Sequence, residues 1–405
     1  MRGERRHPRL FQIEASWPDS TTSRRAWLGH AAAVVAATAV GGLPRFARAF
    51  PDENTDTGHL IVRSKSPIDL ETPRSALASW RTPNPFFFVR SHLGEPAVTL
   101  GPWSVWLGGM VDHERSLSLD SLRALEQVTV PAVLQCSGNG RAFFSPTVPG
   151  LPWEFGAVGN AEWTGVRLAT LLEKAGIKPG GQHIHFVGAD APPHPKTPAF
   201  VRSLPLEKAL DANTILALEM NGEPLPWLHG GPLRLVVPGW TGNHWMKWLR
   251  SITVERDEAQ GFYQQTGYRL PRRPAPPGAT IKPEDLVPLT TLNVKSLLAW
   301  PLAGERLPRG KHTLQGVAWT GEGFVKTVEI AIGQRGQWQP ATLLNDERPF
   351  TWRQWRFEWN ATTRGHHLIR VRATDSRGQT QPDVTPWNRS GYLWNGIDQI
   401  SCEIT

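Results

Sequence analysis

Val133-Leu-Gln-Cys-Ser-Gly-Asn-Gly-Arg141 joins an apolar run to a glycine-rich turn, with a cysteine at the junction. The run delivers Cys136 like the last residue of a buried strand. The glycines let backbone approach a ligand closely, and Arg141 follows five residues on. The chain has two cysteines, and this setting suits a thiolate facing a bound anion or a soft metal better than a disulfide.

Outward from this turn, residues 85–268 mix short strands, glycine turns and a few helices. Trp163–Ala175 reads as a helix, with Val166, Leu168, Leu171 and Leu172 on one face and Gly176 closing it. His183–Val187 and Leu233–Val237 read as strands, and Leu206–Leu210 as a short helical segment. Strands outnumber helices without strict alternation, which predicts an α+β domain. Residues 269–288 form a proline-rich connector, Arg269-Leu-Pro-Arg-Arg-Pro-Ala-Pro-Pro-Gly278 at its start. Residues 289–405 read as all-β: Val328/Ile330/Ile332, Trp355/Phe357/Trp359 and Ile369/Val371/Ala373 alternate, predicting an immunoglobulin-like sandwich. Cys402, in the alternating Gln399–Ile404 strand, reads as a packed small hydrophobe. No internal repeat is evident.

At the N-terminus, Thr22-Ser-Arg-Arg-Ala-Trp-Leu-Gly29 is a twin-arginine motif, followed by an apolar Ala31–Leu43 stretch and an Ala47-Arg-Ala49 cleavage site. Residues 1–49 thus read as an export signal, too short in its apolar part to anchor, and 50–84 as a polar, extended arm. The expected compartment is the periplasm. The signal carries eight arginines and three acids, leaving about +3 of the formal +8 on the mature chain. That bias is too weak to argue for nucleic acid or an acidic membrane as partner, and neither is expected.

Polar groups recur at the ends of apolar runs. Phe86-Phe-Phe-Val-Arg-Ser-His92 ends in a cation and an imidazole on one face; Leu228-His-Gly-Gly-Pro-Leu-Arg234 and Asn243-His-Trp-Met-Lys247 add more. Such groups beside glycines grip phosphate and polar heterocycles.

The ordered set Phe88-Val-Arg-Ser-His92, Leu134-Gln-Cys-Ser-Gly-Asn139, Asn160–Leu168, Pro205–Leu210, Glu219–Glu223, His229-Gly-Gly-Pro-Leu-Arg234 and Lys247-Trp-Leu-Arg250 resembles the sulfite oxidase family of molybdopterin enzymes, and within it the bacterial periplasmic sulfite dehydrogenases. The resemblance implies a molybdopterin-binding domain over 85–268 and a dimerisation domain over 289–405. It implies that Cys136 ligates molybdenum. Phe88, Val89, Arg90, Ser91, His92, Asp190, His229, Arg234, Trp245, Met246 and Lys247 match pterin-binding positions, and Arg90, Arg141 and Tyr268 the substrate pocket. The implied reaction is oxidation of sulfite to sulfate; oxidation of another sulfur compound, as in sulfane dehydrogenases, or sulfoxide reduction are the alternatives. Cys136-Ser-Gly-Asn-Gly140 is closer to the sulfite than to the sulfane enzymes. Gln399 aligns where the animal enzymes carry another pocket arginine. With no Cys-x-x-Cys-His for haem, electrons are expected to pass to a separate cytochrome c. A homodimer, or a heteromer with a haem subunit, is expected.

Overall fold

A computed structural model of the chain describes residues 60–97 and 102–405. The export signal read over 1–49 and the start of the arm read over 50–84 lie outside them.

The described part of that arm is not extended. It folds back as an antiparallel pair, β1 (Ile61–Lys65) and β2 (Ile68–Glu71). Asp69, Leu70 and Glu71 are buried. Leu70 exchanges both backbone hydrogen bonds with Val89, and the Glu71 carboxylate accepts the N–H groups of Glu154 and Gly156. The acids that made the segment look solvated are instead acceptors for the first domain.

That domain continues with β3 (Ser104–Gly109), β4 (Arg115–Ser118), β5 (Val128–Gln135), β6 (Val158–Arg167), β7 (His183–Gly188), β8 (Val201–Pro205), β9 (Ile215–Met220), β10 (Glu223–Pro224), β11 (Arg234–Val236) and β12 (Leu249–Glu255). They build two five-stranded sheets, ordered β4-β3-β12-β7-β8 and β10-β9-β6-β5, with β11 joined to β9. Only β12 with β3 is parallel.

The helix expected from Trp163 starts five residues later, as α1 (Leu168–Ala175), and ends at Gly176 with φ +70°. Trp163 and Val166 extend β6 and pair with Met220 and Leu216 of β9. An aromatic and a β-branched residue inside a sheet covered on both faces favour the strand over the helical spacing they also satisfy. A second short helix is α2 (Leu206–Ala209). No described helix is long and apolar enough to cross a membrane.

The connector is closed by β13 (Arg269–Pro271) pairing β14 (Leu286–Pro288). Beyond it lie β15 (Lys295–Trp300), β16 (Arg306–Leu307), β17 (Gly310–Trp319), β18 (Val325–Ile332), β19 (Gln339–Pro340), β20 (Thr342–Leu343), β21 (Arg353–Ala361), β22 (Gly365–Asp375) and β23 (Asp398–Ile404). Two sheets result, β15-β17-β21-β20 and β16-β23-β22-β18-β19. Leu298, Leu314 and Trp355 of the first meet Ile330, Ile369, Val371 and Cys402 of the second in one core. The second domain is thus β-rich, and Cys402 is packed as read.

The alternation of β5 ties the two halves together. Ala132 and Leu134 join the first domain's core. Val133 packs instead with Leu77, Val317, Trp319 and Trp352. Gln135 Oε1 accepts from the Trp319 indole at 2.9 Å. Each such large side chain contributes about 1.5–3 kcal/mol by burial, so the strand that ends at Cys136 is braced from both faces.

Lys295 sits at the same junction, 1% exposed, its ammonium 4.7 Å from the Trp394 ring and without a hydrogen-bond partner. Burial pulls it down to about 7 from 10.5, against the pull of Asp398. The unfolded chain therefore binds more protons between about pH 7 and 10.5, and stability rises with pH across that window. Lys295→Met is expected to stabilise by about 1–4 kcal/mol at pH 6, the gain shrinking toward pH 10. Thermal melts of both proteins at the two pH values check this; a less stable variant at pH 6 would contradict it.

Candidate functional site

A cavity opens beside Cys136. β5 ends at Gln135, and the Cys136 N–H is anchored on the Ala157 carbonyl at 2.9 Å. The turn that follows needs Gly140, at φ +90°, because a Cβ there would lie 2.7 Å from Trp394. Burial pushes the Cys136 thiol upward; Arg90 and Arg141 act against that.

The opposite wall comes from the segment paired to β2. Arg90 donates to both Asp69 oxygens at 3.1 and 3.0 Å and to the Ser91 carbonyl at 2.6 Å. Asp69 also accepts the Ser91 N–H. Tyr268 Oη lies 2.6 Å from His92 Nε2, and an Arg90 guanidinium nitrogen 3.5 Å from the same atom. Burial, reinforced by Arg90 and Lys247, holds His92 well below the usual imidazole range. Burial likewise pushes the Tyr268 phenol up, so both groups are neutral at physiological pH. If Nε2 carries the imidazole proton, the phenol O–H is left to turn toward a bound anion.

Tyr268 holds φ +54°, a left-handed conformation costing a non-glycine residue about 1–2 kcal/mol. The Leu289 N–H on its carbonyl and the Tyr392 ring stacked at 5.3 Å hold it there. Such a conformation persists only where the surrounding structure over-determines it.

The far end of the cavity is cationic. Arg234, 3% exposed, donates to the His229 and Trp245 carbonyls and has no carboxylate partner among the described residues; its Nε is unpartnered. Burial lowers it to about 9. Lys247 donates to Ser91 Oγ and the Leu228 carbonyl, and burial lowers it to about 7. His229 is lowered to about 3, again chiefly by burial, and is neutral. Arg234, buried without a carboxylate, the half-buried Lys247 with Asp190 near it, and an orphaned Asn243 amide N–H are a donor set that an anionic group can use.

Among the described residues no group of three or more His, Cys, Asp or Glu side chains could hold a metal ion. A metal at Cys136 would take that sulfur as its single protein ligand and the rest from the group carrying it. One half-buried thiol at one end and an anion-binding end opposite fit a molybdenum held by a phosphorylated pterin.

Of the expected residues, Phe88, Arg90, His92, Cys136, Asp190, His229, Arg234, Trp245, Met246, Lys247 and Tyr268 line the cavity. Val89 does not: its backbone pairs with Leu70, and its side chain is buried. Ser91 acts from behind, through Lys247. Arg141 lies beneath the turn, donating to the Ser390 and Leu151 carbonyls at 3.1 and 3.0 Å. Its charge still reaches Cys136. Gln399 is away from the cavity, exposed on β23 opposite Arg370, because alternation turns Asp398 and Ile400 inward instead. The C-terminal region reaches the pocket through Tyr392. Sequence reasoning missed Asp69, Ser137, Phe200, Asn243 and Tyr392. Ser137 and Asn243, both inside motifs already quoted, left a signal; the other three did not.

Residues 92–263 match the family model for an oxidoreductase molybdopterin binding domain, and 287–402 that for a Mo-co oxidoreductase dimerisation domain. The chain is 36% identical to sulfite oxidase of Gallus gallus, covering 82% of this chain and 76% of that protein. It is 33% identical to sulfite oxidase of Arabidopsis thaliana, covering 82% and 91%. Against mitochondrial sulfite oxidase of Mus musculus it is 35% identical and spans 66% of the relative's length. The solved structure of the sulfane dehydrogenase SoxCD from Paracoccus pantotrophus superposes with a TM-score of 0.74 at 25% identity, covering 89% of this chain and 92% of that one.

Proposed function

The chain belongs to the sulfite oxidase family of molybdopterin oxidoreductases, and on that premise we propose that it oxidises sulfite to sulfate and passes the electrons to an external cytochrome c. The observation that carries the reading is the cavity, where a single half-buried thiol stands between a cationic end and an Arg90–His92–Tyr268 wall. Phe88, His229, Arg234, Asn243 and Lys247 would hold the pterin and its phosphate, and Cys136 the metal. The bound group would supply a two-electron redox centre. Sulfite and water give sulfate, two protons and two electrons.

The chain's own residues bind and orient. Arg90, fixed by Asp69, and the field of Arg141 concentrate a small oxyanion at Cys136. Tyr268 donates to one of its oxygens, while neutral His92 holds the phenol in place. A neutral sulfoxide would make no use of the two arginines. Oxidation of another sulfur compound is the second reading, supported by the likeness to the sulfane dehydrogenase. The sandwich we read as immunoglobulin-like, with dimerisation, or pairing with a haem subunit, as its task. The twin-arginine segment supports export to the periplasm.

Protein expressed with its signal intact is expected to contain close to one molybdenum per chain and to reduce cytochrome c with sulfite. A metal-free product, or turnover only of sulfoxides with reduced viologen, would remove the reading. Arg141→Gln is expected to raise the sulfite KM roughly tenfold through loss of one nearby positive charge. An unchanged KM would take Arg141 out of the anion's field.

A further inference from the structure

The tetrapeptide Phe88-Val-Arg-Ser91 recurs as Phe200-Val-Arg-Ser203 at the start of β8, a repeat below the scale at which the chain otherwise has none. Both phenylalanines line the cavity. Each arginine lies two residues on, hence on the same face as its phenylalanine. The second arginine belongs to none of the motifs that carried the family resemblance.

Arg202 is 1% exposed and forms no ion pair among the described residues. It donates to the Tyr263 carbonyl, lies 3.4 Å from His244 Nε2, and leaves its Nε unpartnered. Its guanidinium carbon stands 5.5 Å from the Tyr268 ring centre. Beside it, Ser203 takes the Ala259 N–H on its hydroxyl and gives its own N–H to Gln264, clamping the segment that carries Tyr263 toward Tyr268. Phe200, Tyr263 and His92 pack ring against ring within 5.1 Å of one another, the wall that Tyr268 completes. A guanidinium buried this deeply without a carboxylate is costly, and packing alone does not call for it.

We propose that Arg202 is a positioning residue for the anion pocket: it holds the Tyr268 ring from behind and supplies the third positive charge that Gln399, exposed on β23, does not. Its charge reaches His92 as well as Tyr268. The cation therefore favours an oxyanion on the cavity side of that wall while its face on the ring keeps the hydroxyl aimed. This inference rests on the oxyanion reading above.

The test uses the molybdenum-loaded full chain, with steady-state sulfite kinetics and calorimetric titration of sulfate. Arg202→Met is expected to raise the sulfite KM and the sulfate Kd about tenfold, with kcat within about threefold. Arg202→Lys, which keeps the charge, is expected to recover most of that loss. Should the methionine variant fail to fold, Arg202→Gln, which keeps a donor for the Tyr263 carbonyl, carries the same expectation. A purely structural clamp would make lysine as damaging as methionine, and that result overturns the proposal. So do variants matching the parent within twofold while the parent oxidises sulfite and binds sulfate. A parent that holds molybdenum yet does neither overturns the oxyanion reading, and this inference with it.

Discussion

Cys136→Ser is expected to fold, to retain its pterin and to lose sulfite turnover by about 10²–10³-fold or more, since loss of one contact to the reacting centre already costs that much. Retention follows from the geometry. The groups available to the pterin's anionic end are Arg234, Lys247 and Asn243, none of which touches the thiol. Folding is also protected, because the turn hangs on the Cys136 backbone N–H and on Gly140, both unchanged by the substitution. The serine oxygen is a hard donor where a soft one is needed. Released pterin measured by fluorescence, together with sulfite-dependent cytochrome c reduction, separates the outcomes. Parent-like turnover would exclude thiolate ligation; loss of pterin along with activity would mean that the sulfur also anchors the group.

What could be read from the sequence tracks how local the determining physics is. Cys136 at a strand end was legible because an apolar run followed by glycines is a short-range signal, and β5 is buried on both faces as such a run requires. Asp69 was not legible. It stands in Ile68-Asp-Leu-Glu71, a pattern equally suited to a solvated strand, and its partner Arg90 is 21 residues away. Trp163–Arg167 satisfied a helical period, but pairing with β9 decided the conformation, and no window of residues contains that partner. Gln399 was placed by comparison of short motifs, whereas the simple alternation of β23 turns it outward. Arg202 was overlooked for a different reason: periodicity shows which face a residue takes, not how deep that face lies.

The second large effect is on stability, and Asp398→Ala is expected to bring it. Asp398 is 1% exposed and accepts two hydrogen bonds from Arg74, at 2.6 and 3.1 Å, and one from the Leu298 N–H at 2.8 Å. Removing the carboxylate strands a guanidinium beside the unpartnered Lys295 ammonium, and breaking a buried pair from one side costs about 3–5 kcal/mol. Arg74→Met with Asp398→Leu removes both charges and is expected to recover most of that loss, which urea unfolding of the single and double variants would measure. Equal losses in single and double variants would mean that the pair contributes packing alone. The damage is expected to travel. Arg74 lies three residues after Glu71, and β2 carries the Asp69 carboxylate that fixes Arg90. Loosening its tie to β23 therefore frees the strand that aims a pocket cation, and the folded fraction of Asp398→Ala should show a raised sulfite KM. A normal KM in that fraction would mean that β2 is held by its bonds to Val89 and Gly156 without help from the sandwich.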